Sequence, residues 1–205
     1  MSEIHVRAVK MADERAILAL VHEEMEAHAR MDARFRLRAD AGARYVVYLR
    51  ERLRDIDSSV FVAEVEARVV GLAIGTVRKQ NVFFEERRYG YISDLMVERA
   101  ARRRGIGRAL YDRTVLWFRG LGIGVVRLHI AVKSDEARAF WKSVGAGEFL
   151  VESWIDLGDV GVAAPPDGAL AGTAVAAAPP DASPPPLRSG FDYPDDVLTG
   201  RGGSL

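Results

Sequence analysis

The 205-residue chain contains no cysteine, and its first 164 residues contain no proline. The absence of cysteine excludes a disulfide framework, a thiolate metal cluster and a cysteine nucleophile, and it leaves the redox compartment unconstrained. A net charge is also lacking, because 29 Lys and Arg residues balance 29 Asp and Glu residues. That balance conceals two segments of different composition.

The two segments divide near residue 157. Residues 1–157 contain 27 Lys and Arg residues against 23 Asp and Glu residues, whereas residues 158–205 contain two arginines against six aspartates. All eight prolines lie in the second segment. An acidic segment rich in Pro, Ala and Gly buries too little apolar surface to offset the entropy lost on ordering. We therefore expect a folded domain over 1–157 and a disordered tail over 158–205.

No segment has the composition of a signal peptide or a membrane span. Charged residues interrupt the first 30 residues, and the longest apolar stretch of the tail, residues 160–178, contains two prolines and an aspartate. We expect a soluble, cytoplasmic protein without a membrane partner.

Hydrophobic periodicity predicts alternating strands and helices along most of residues 4–157. Six strands are predicted, at residues 4–9, 60–65, 69–77, 91–97, 125–132 and 149–157. Four helices are predicted, at residues 13–29, 43–55, 105–119 and 135–143, with Asp13 as the N-cap of the first. This order predicts a mixed α/β domain with helices packed on a central sheet.

An arginine- and glycine-rich segment lies between a predicted strand and a predicted helix: Arg102-Arg103-Arg104-Gly105-Ile106-Gly107-Arg108. Glycines at such a turn expose backbone N–H groups at the positive end of a helix dipole, an arrangement that binds phosphate. The arginines add attraction for an anion. A solvated basic patch at a helix N-terminus is the alternative interpretation. The chain has no P-loop motif, and the glycines of 120–124 follow a helix, the reverse of a dinucleotide-binding fingerprint.

These residues resemble the signature of the GCN5-related N-acetyltransferase (GNAT) superfamily. The signature is Q/R-x-x-G-x-G/A after a strand ending in L-x-V, and it is matched by Arg102-x-x-Gly105-x-Gly107 after Leu95-Met96-Val97. A second family pattern, N-x-x-A-x-x-F-Y-x-x-x-G-F, is matched by Ser134-x-x-Ala137-x-x-Phe140-Trp141-x-x-x-Gly145-Ala146. The resemblance covers residues 3–157 in element order and is strongest over 60–147. It implies a GNAT-like mixed central sheet flanked by helices.

The resemblance implies that the protein binds acetyl-CoA as cosubstrate, uses no metal, and transfers the acetyl group to an amine by direct attack. The backbone N–H groups of residues 103–108 would hold the pyrophosphate, and the backbone of residues 95–97 would pair with the pantetheine. An N–H near Met96 or Val97 would stabilise the oxyanion. The implied cofactor-binding residues are Leu95, Met96, Val97, Arg102, Arg103, Arg104, Gly105, Ile106, Gly107, Arg108, Ser134, Ala137, Phe140 and Trp141.

Two positions depart from residues that are common in the superfamily. Many members have a tyrosine at the position of Trp141, where it protonates the leaving thiolate, and several have a glutamate at the position of Ser93. An indole N–H and a serine do not replace these groups at neutral pH. The remaining candidates for a general base are Asp94, which is preferred, Glu98 and His129. Each of the three also has an ordinary structural interpretation.

The cost of deprotonation favours one class of acceptor. Removing a proton at pH 7 costs about 4 kcal/mol for a lysine-like amine, against about 1.4 kcal/mol for an amine that titrates near 8. A weak base therefore favours a small amine of lowered pKa, such as an amino sugar, an aminoglycoside or an α-amino group, over a protein lysine. Acceptor choice is expected to depend on residues 25–40 and on the loop 79–88, where Glu85 and Glu86 would attract a cation.

Other functions and assemblies are compatible with the sequence. Ser93 and Trp141 also suit a non-catalytic acyl-CoA-binding module. Nucleic-acid binding through residues 102–108 is disfavoured, because residues 1–157 have a charge excess of only four and no aromatic residues are interleaved with the arginines. We therefore expect no nucleic-acid partner. Homodimers are common in the superfamily, so a homodimer is one expected assembly, although no residue demonstrates it.

Overall fold

A five-stranded sheet organises the part of the chain that the structure describes. The computed structural model describes residues 3–85 and 87–155. Its strands are β1 (His5–Ala8), β2 (Ser58–Val65), β3 (Arg68–Lys79), β4 (Arg88–Val97) and β5 (Val126–Leu128). Its α-helices are α1 (Glu14–Met31), α2 (Ala41–Arg54), α3 (Ile106–Gly120) and α4 (Asp135–Ser143), with short 3-10 turns at Met11–Asp13, Ala33–Phe35 and Arg99–Ala101. The mixed α/β class that the sequence predicts is confirmed.

The strands lie in chain order across the sheet. The first four are antiparallel to their neighbours, and β5 is parallel to β4. Parallel neighbours need a crossover connection, which α3 supplies. The connection between β2 and β3 is a two-residue turn in which Glu66 and Ala67 have positive φ angles of 51° and 59°, the backbone geometry of a tight hairpin.

The two faces of the sheet contribute to separate parts of the hydrophobic core. Alternation along β2 directs Val60 and Val62 toward the face that α1 and α2 cover, while Phe61 and Ala63 point to the face that α3 covers. The sheet is therefore the middle layer between two sets of helices, as the sequence predicts.

Two glycines make room for the ring of Phe118, a fully buried side chain of α3. A Cβ added at Gly75 would lie 2.9 Å from the Phe118 ring, and one added at Gly90 would lie 2.8 Å from it. The ring packs directly on β3 and β4 only because both positions lack a side chain. This contact anchors α3 to the strands that lead into the candidate site.

Two predicted strands differ from the structure. The strand predicted at 125–132 ends at Leu128, because its ladder with β4 contains only three pairs. The strand predicted at 149–157 is wrong over residues 149–155, which form no strand in the described part of the chain. Alternating apolar residues give a strand only where a neighbouring strand supplies hydrogen bonds, and periodicity alone does not reveal that partner.

Asp13 lies at the N-cap position of α1, as predicted, but its carboxylate does not cap that helix. It accepts hydrogen bonds from the Arg7 guanidinium and the Lys10 amide, both at 2.7 Å. The bond from Arg7 holds the pKa of the Asp13 carboxyl below its usual value. Arg7 also contacts Glu64 at 2.5 Å, so this ion-pair network joins β1, β2 and the turn before α1.

The chain divides into two compact units, Met1–Ala146 and Gly147–Leu205. Of the second unit only residues 147–155 are described; there the Trp154 indole N–H donates to the Glu152 carboxylate at 2.7 Å. The predicted tail, 158–205, lies outside the described residues, and the domain boundary at 157 stays a prediction. No helix in the described ranges is both long and apolar enough to cross a membrane.

Candidate active site

The candidate site begins where β4 and β5 separate, and we call this separation the fork. The parallel ladder ends at the pair Ile92 and Leu128, so β4 continues to Val97 without a strand on that edge among the described residues. On its other edge β4 remains paired with β3, with Ser93 as an extra residue at a bulge. Since alternate residues of a strand direct their N–H and C=O groups to opposite edges, the free edge offers backbone partners to an extended ligand.

The turn between β4 and α3 gathers backbone amides. Arg103 and Gly105 have positive φ angles of 62° and 86°, and Gly105 is the N-cap of α3. Within the described residues, no backbone N–H of residues 103–108 donates a hydrogen bond to another backbone group. Amides in such a turn point into a common concavity, at the positive end of the α3 dipole. The turn therefore presents several N–H donors together, the arrangement that suits an anion.

A cleft of about 370 Å³ joins the fork to this turn. Almost all the residues that the sequence predicts as cofactor-binding line it: Leu95, Met96, Val97, Arg102, Arg103, Gly105, Ile106, Gly107, Arg108, Ser134, Ala137, Phe140 and Trp141. Arg104 is the exception. Its side chain lies outside the wall of the cleft, although its backbone belongs to the turn.

Arg102 is occupied by protein partners. Its guanidinium donates to the Val97 carbonyl at 2.9 Å, to Glu136 at 2.9 Å and to Glu24 at 3.1 Å. Both glutamates also line the cleft. Arg102 therefore neutralises two carboxylates beside the predicted anion site and connects α1, β4 and α4.

The start of α4 is fixed by a side-chain cap. The Ser134 hydroxyl accepts a hydrogen bond from the Ala137 amide at 3.3 Å, the role that serine and asparagine share at an N-cap. A Cβ at Gly107 would lie 3.3 Å from the Phe140 ring. The absence of a side chain at Gly107 therefore permits the close approach of α3 and α4 that narrows the cleft.

Trp141 is a buried side chain that also contributes to the cleft wall. Its ring makes edge contacts with Tyr111 and Phe140, with centroid separations of 6.0 Å and 5.1 Å. The Tyr111 hydroxyl donates to the Val144 carbonyl at 3.4 Å. Trp141 thus closes the cleft with apolar surface and has no acidic proton to offer a thiolate.

Asp94 lies on the other face of β4, toward α2, and does not line the cleft. Its Oδ1 accepts from the Tyr45 hydroxyl at 3.2 Å, and its Oδ2 accepts from Ser93 at 2.7 Å and Tyr48 at 3.4 Å. Tyr48 and Ser93 are themselves 3.0 Å apart. The position that departs from the family glutamate, Ser93, therefore orients the neighbouring carboxylate.

Burial sets the protonation of this cluster. Removal from water raises the pKa of the Asp94 carboxyl above its ordinary value, while the hydrogen bonds from Ser93, Tyr45 and Tyr48 act in the opposite direction. Burial and the charge of Asp94 raise the pKa of Tyr48 to about 12 and hold the pKa of Tyr45 well above its ordinary value. The tyrosines therefore remain protonated donors, and Asp94 is the group of the cluster that titrates.

The other two base candidates have defined partners. Glu98 forms a two-point ion pair with Arg68, at 2.8 Å for each bond, which accounts for it as a surface charge. His129 is the first residue of the chain beyond the last β4–β5 pair, and its Nδ1 lies 3.1 Å from the Tyr91 hydroxyl. Among the described residues, no group of three His, Asp or Glu side chains could hold a metal ion.

The sequence profile of the acetyltransferase (GNAT) family matches residues 19–146, more than half of the chain. The chain belongs to this family. The match includes the fork, the turn and α4, so the GNAT resemblance of the sequence motifs is confirmed. A comparison with curated proteins gave no match.

Solved structures share the GNAT fold with this chain. An aminoglycoside 6′-N-acetyltransferase from Acinetobacter haemolyticus is 16% identical, with a TM-score of 0.60 over 74% of this chain and 97% of that one. A predicted acetyltransferase from Clostridium acetobutylicum, solved with acetyl-CoA, is 18% identical, with a TM-score of 0.60 over 76% and 96%. An aminoglycoside acetyltransferase from an uncultured soil sample is 25% identical, with a TM-score of 0.56 over 76% and 97%.

Several residues of the site are missed by sequence reasoning. Glu24 and Glu136 line the cleft, and Tyr45 and Tyr48 hold Asp94. Their only local signal is a charge or an aromatic ring on a predicted helix, which is also typical of solvated or core positions. Nothing in the chain near Asp94 marks α2 as its partner.

Proposed function

We propose that this GNAT protein is an N-acetyltransferase that uses acetyl-CoA to acetylate a primary amine of a small molecule. The acceptor class is an amino sugar, an aminoglycoside-like amine or an α-amino compound, and the amine attacks the thioester directly. One juxtaposition carries the proposal: the amides of residues 103–108 and the free edge of β4 meet in a single cleft.

The residues of the cleft fit acetyl-CoA chemically. A pyrophosphate needs several N–H donors, which the turn at 103–108 offers. A pantetheine chain carries amides that can pair with a strand edge, which residues 95–97 offer. Phe140 and Trp141 supply apolar surface for the rest of the pantetheine and for the acetyl group.

The protein's own groups have distinct tasks in the proposed reaction. Bound acetyl-CoA would supply a thioester carbonyl for the amine to attack, with the CoA thiolate as leaving group. A backbone N–H at Met96 or Val97 would stabilise the oxyanion. Asp94 would hold the ammonium form of the acceptor and accept its proton, directly or through water. Trp141 would exclude water from the thioester without donating a proton.

The acceptor class draws support from two sources. The proposed base, Asp94, is a carboxylate and therefore a weak base. An acceptor amine that costs little to deprotonate at neutral pH is therefore favoured. Proteins of the same fold include aminoglycoside acetyltransferases, which is consistent with a small amine as acceptor.

The test is release of free thiol from acetyl-CoA by the full-length protein across a panel of amines. We expect turnover with amino sugars and α-amino compounds to exceed turnover with long polyamines and lysine peptides. Equal or better turnover on lysine peptides would contradict the acceptor class. Tight CoA binding without thiol release on any amine would instead identify the non-catalytic acyl-CoA-binding module.

A further inference from the structure

A polar cluster lies where β3, β4 and β5 run side by side, next to Asp94. We call Arg78, Tyr89, Tyr91, Arg127 and His129 the arginine–tyrosine face. Tyr91 is paired with Arg127 in the ladder, and the next pair, Ile92 and Leu128, packs with the α3 side of the core. Because strand side chains alternate, the arginine–tyrosine face points to the opposite side of the sheet, the side of α1, α2 and Asp94.

Ring stacking holds the two guanidinium groups in place. Arg78 lies 3.8 Å from the centroid of the Tyr91 ring, and Arg127 lies 4.3 Å from that of Tyr89. One N–H of Arg127 donates to the Gln80 side chain at 3.1 Å. Arg127 is exposed and forms no ion pair among the described residues. The Arg127 guanidinium, fixed in this way, keeps N–H donors for a planar anion such as a carboxylate, or for a phosphate.

The opposite charge lies further along the same strand. Asp94 follows Tyr91 by three residues, about 10 Å of extended chain, and it points to the same side of the sheet toward α2. His129, whose Nδ1 contacts Tyr91, follows the last ladder pair and so lies where the fork begins. One face thus presents a carboxylate beside the fork and two guanidinium groups beyond it.

We infer that the acceptor is an amine that also carries an anionic group, a carboxylate or a phosphate, which binds at the arginine–tyrosine face while the amine lies toward Asp94 and the fork. This inference rests on the proposed function and narrows its acceptor class. It differs from the sequence-based expectation that Glu85 and Glu86 attract a cation; Glu86 lies outside the described residues.

The first arm of the test compares pairs of acceptors that differ only in the anion. One pair is an α-amino acid and its carboxamide, and the other is an amino sugar phosphate and the parent amino sugar. The carboxamide has the less basic amine and reacts faster unless the anion is recognised. We expect the anionic member of at least one pair to have about tenfold higher kcat/KM in the thiol-release assay. Equal or higher kcat/KM for both neutral members would overturn the inference. The pair that responds distinguishes carboxylate from phosphate.

The second arm assigns the preference to Arg127. Arg127→Gln should abolish the preference through the KM of the anionic acceptor and leave the neutral acceptor unchanged, while Arg127→Lys should retain part of it. The matched control is Arg113→Gln, which removes another exposed, stacked arginine, 5.0 Å from the Phe61 ring on the other side of the sheet. An equal loss in Arg113→Gln would mean that net charge acts at long range, and would overturn the assignment to this face.

A binding measurement separates this inference from the proposed function. If wild-type protein releases no thiol with any amine, the proposed function fails, and calorimetric titration of the same acceptor pairs in the presence of CoA then decides the inference. Tighter binding of the anionic member, lost in Arg127→Gln, supports it. Equal binding of both members, or no binding of either, overturns it.

Discussion

Asp94 is the residue at which burial and hydrogen bonding act in opposite directions. Its folded-state pKa lies above the ordinary carboxyl value because burial outweighs three hydroxyl donors. Over the interval between the two values, the folded chain binds the proton more tightly than the unfolded chain does. The free energy of unfolding therefore falls as pH rises through that interval, which is the sign expected of a carboxylate kept for function rather than for stability.

Asp94→Asn should separate activity from stability. We expect kcat/KM for the acceptor to fall about a hundredfold, and the part of the pH–rate profile that rises as Asp94 ionises to disappear. The thermal stability of the variant relative to wild type should increase with pH, because asparagine does not ionise. Thermal unfolding at several pH values and thiol release measure both effects. Asp57→Asn is the control, since Asp57 is an exposed carboxylate that does not line the cleft; an equal loss of activity there would contradict the role of Asp94.

Gly105 is required by its backbone rather than by crowding. Its φ of 86° suits glycine, and the nearest atom to a Cβ there is 4.0 Å away, on Ile4. Gly105→Ala should cost about 1–2 kcal/mol of strain in the turn and raise the KM for acetyl-CoA about tenfold if the turn shifts to relieve it. Gly120→Ala, at the other end of α3 and in open space, is the matched control. An unchanged KM in Gly105→Ala would argue against an anion site at this turn.

At the scale of elements, Arg102 connects parts of the domain that are remote in sequence. Its partners Glu24 and Glu136 lie 78 and 34 residues away, on α1 and α4. Both pairs are partly exposed, so their contribution to stability is modest. Their larger effect is electrostatic, because an unpaired Glu24 or Glu136 would repel an anion in the cleft.

Arg102→Gln should therefore raise the KM for acetyl-CoA by about tenfold with a smaller change in kcat. Adding Glu24→Gln and Glu136→Gln to this variant should restore much of the loss, because the repelling charges are removed together with their counterion. Steady-state kinetics at low and moderate salt would show both results. No rescue in the triple variant would mean that the bond from Arg102 to the Val97 carbonyl, and not charge neutralisation, is the essential contact.

At the scale of the whole molecule, the zero net charge is a sum over segments with opposite charge. Residues 1–157 have four more basic than acidic residues, and residues 158–205 have four more acidic than basic ones. An acidic segment could compete for the basic turn at 102–108, or it could leave the turn unaffected.

A chain ending at Leu157 distinguishes these outcomes. We expect the KM for acetyl-CoA to be the same as in the full-length protein at low salt, because the high dielectric constant of water weakens the attraction between separated charges. The measurement is thiol release against acetyl-CoA concentration at two ionic strengths. A lower KM in the shortened chain at low salt alone would show that residues 158–205 compete for the turn.

Local patterns in the sequence determine the features that depend on neighbouring residues. The glycines at 105 and 107 and the preceding strand predict the turn and α3, because backbone conformation acts within a few residues. The same patterns identify the GNAT family. Local pattern fails at 149–157, where alternation predicts a strand but pairing with a distant partner would be needed.

Tertiary structure alone decides which side chains meet across the sheet. Tyr45 is 49 residues from Asp94, and Glu24 is 78 residues from Arg102, so no spacing rule links either pair. Strand register brings Arg127 level with Tyr91 and ends the ladder one pair later, which creates the fork. The sequence by itself determined the fold class, the family and the glycine-containing turn before α3. The environment of Asp94 and the clustering of the arginine–tyrosine face were decided by packing, because both depend on groups that only the folded chain brings together.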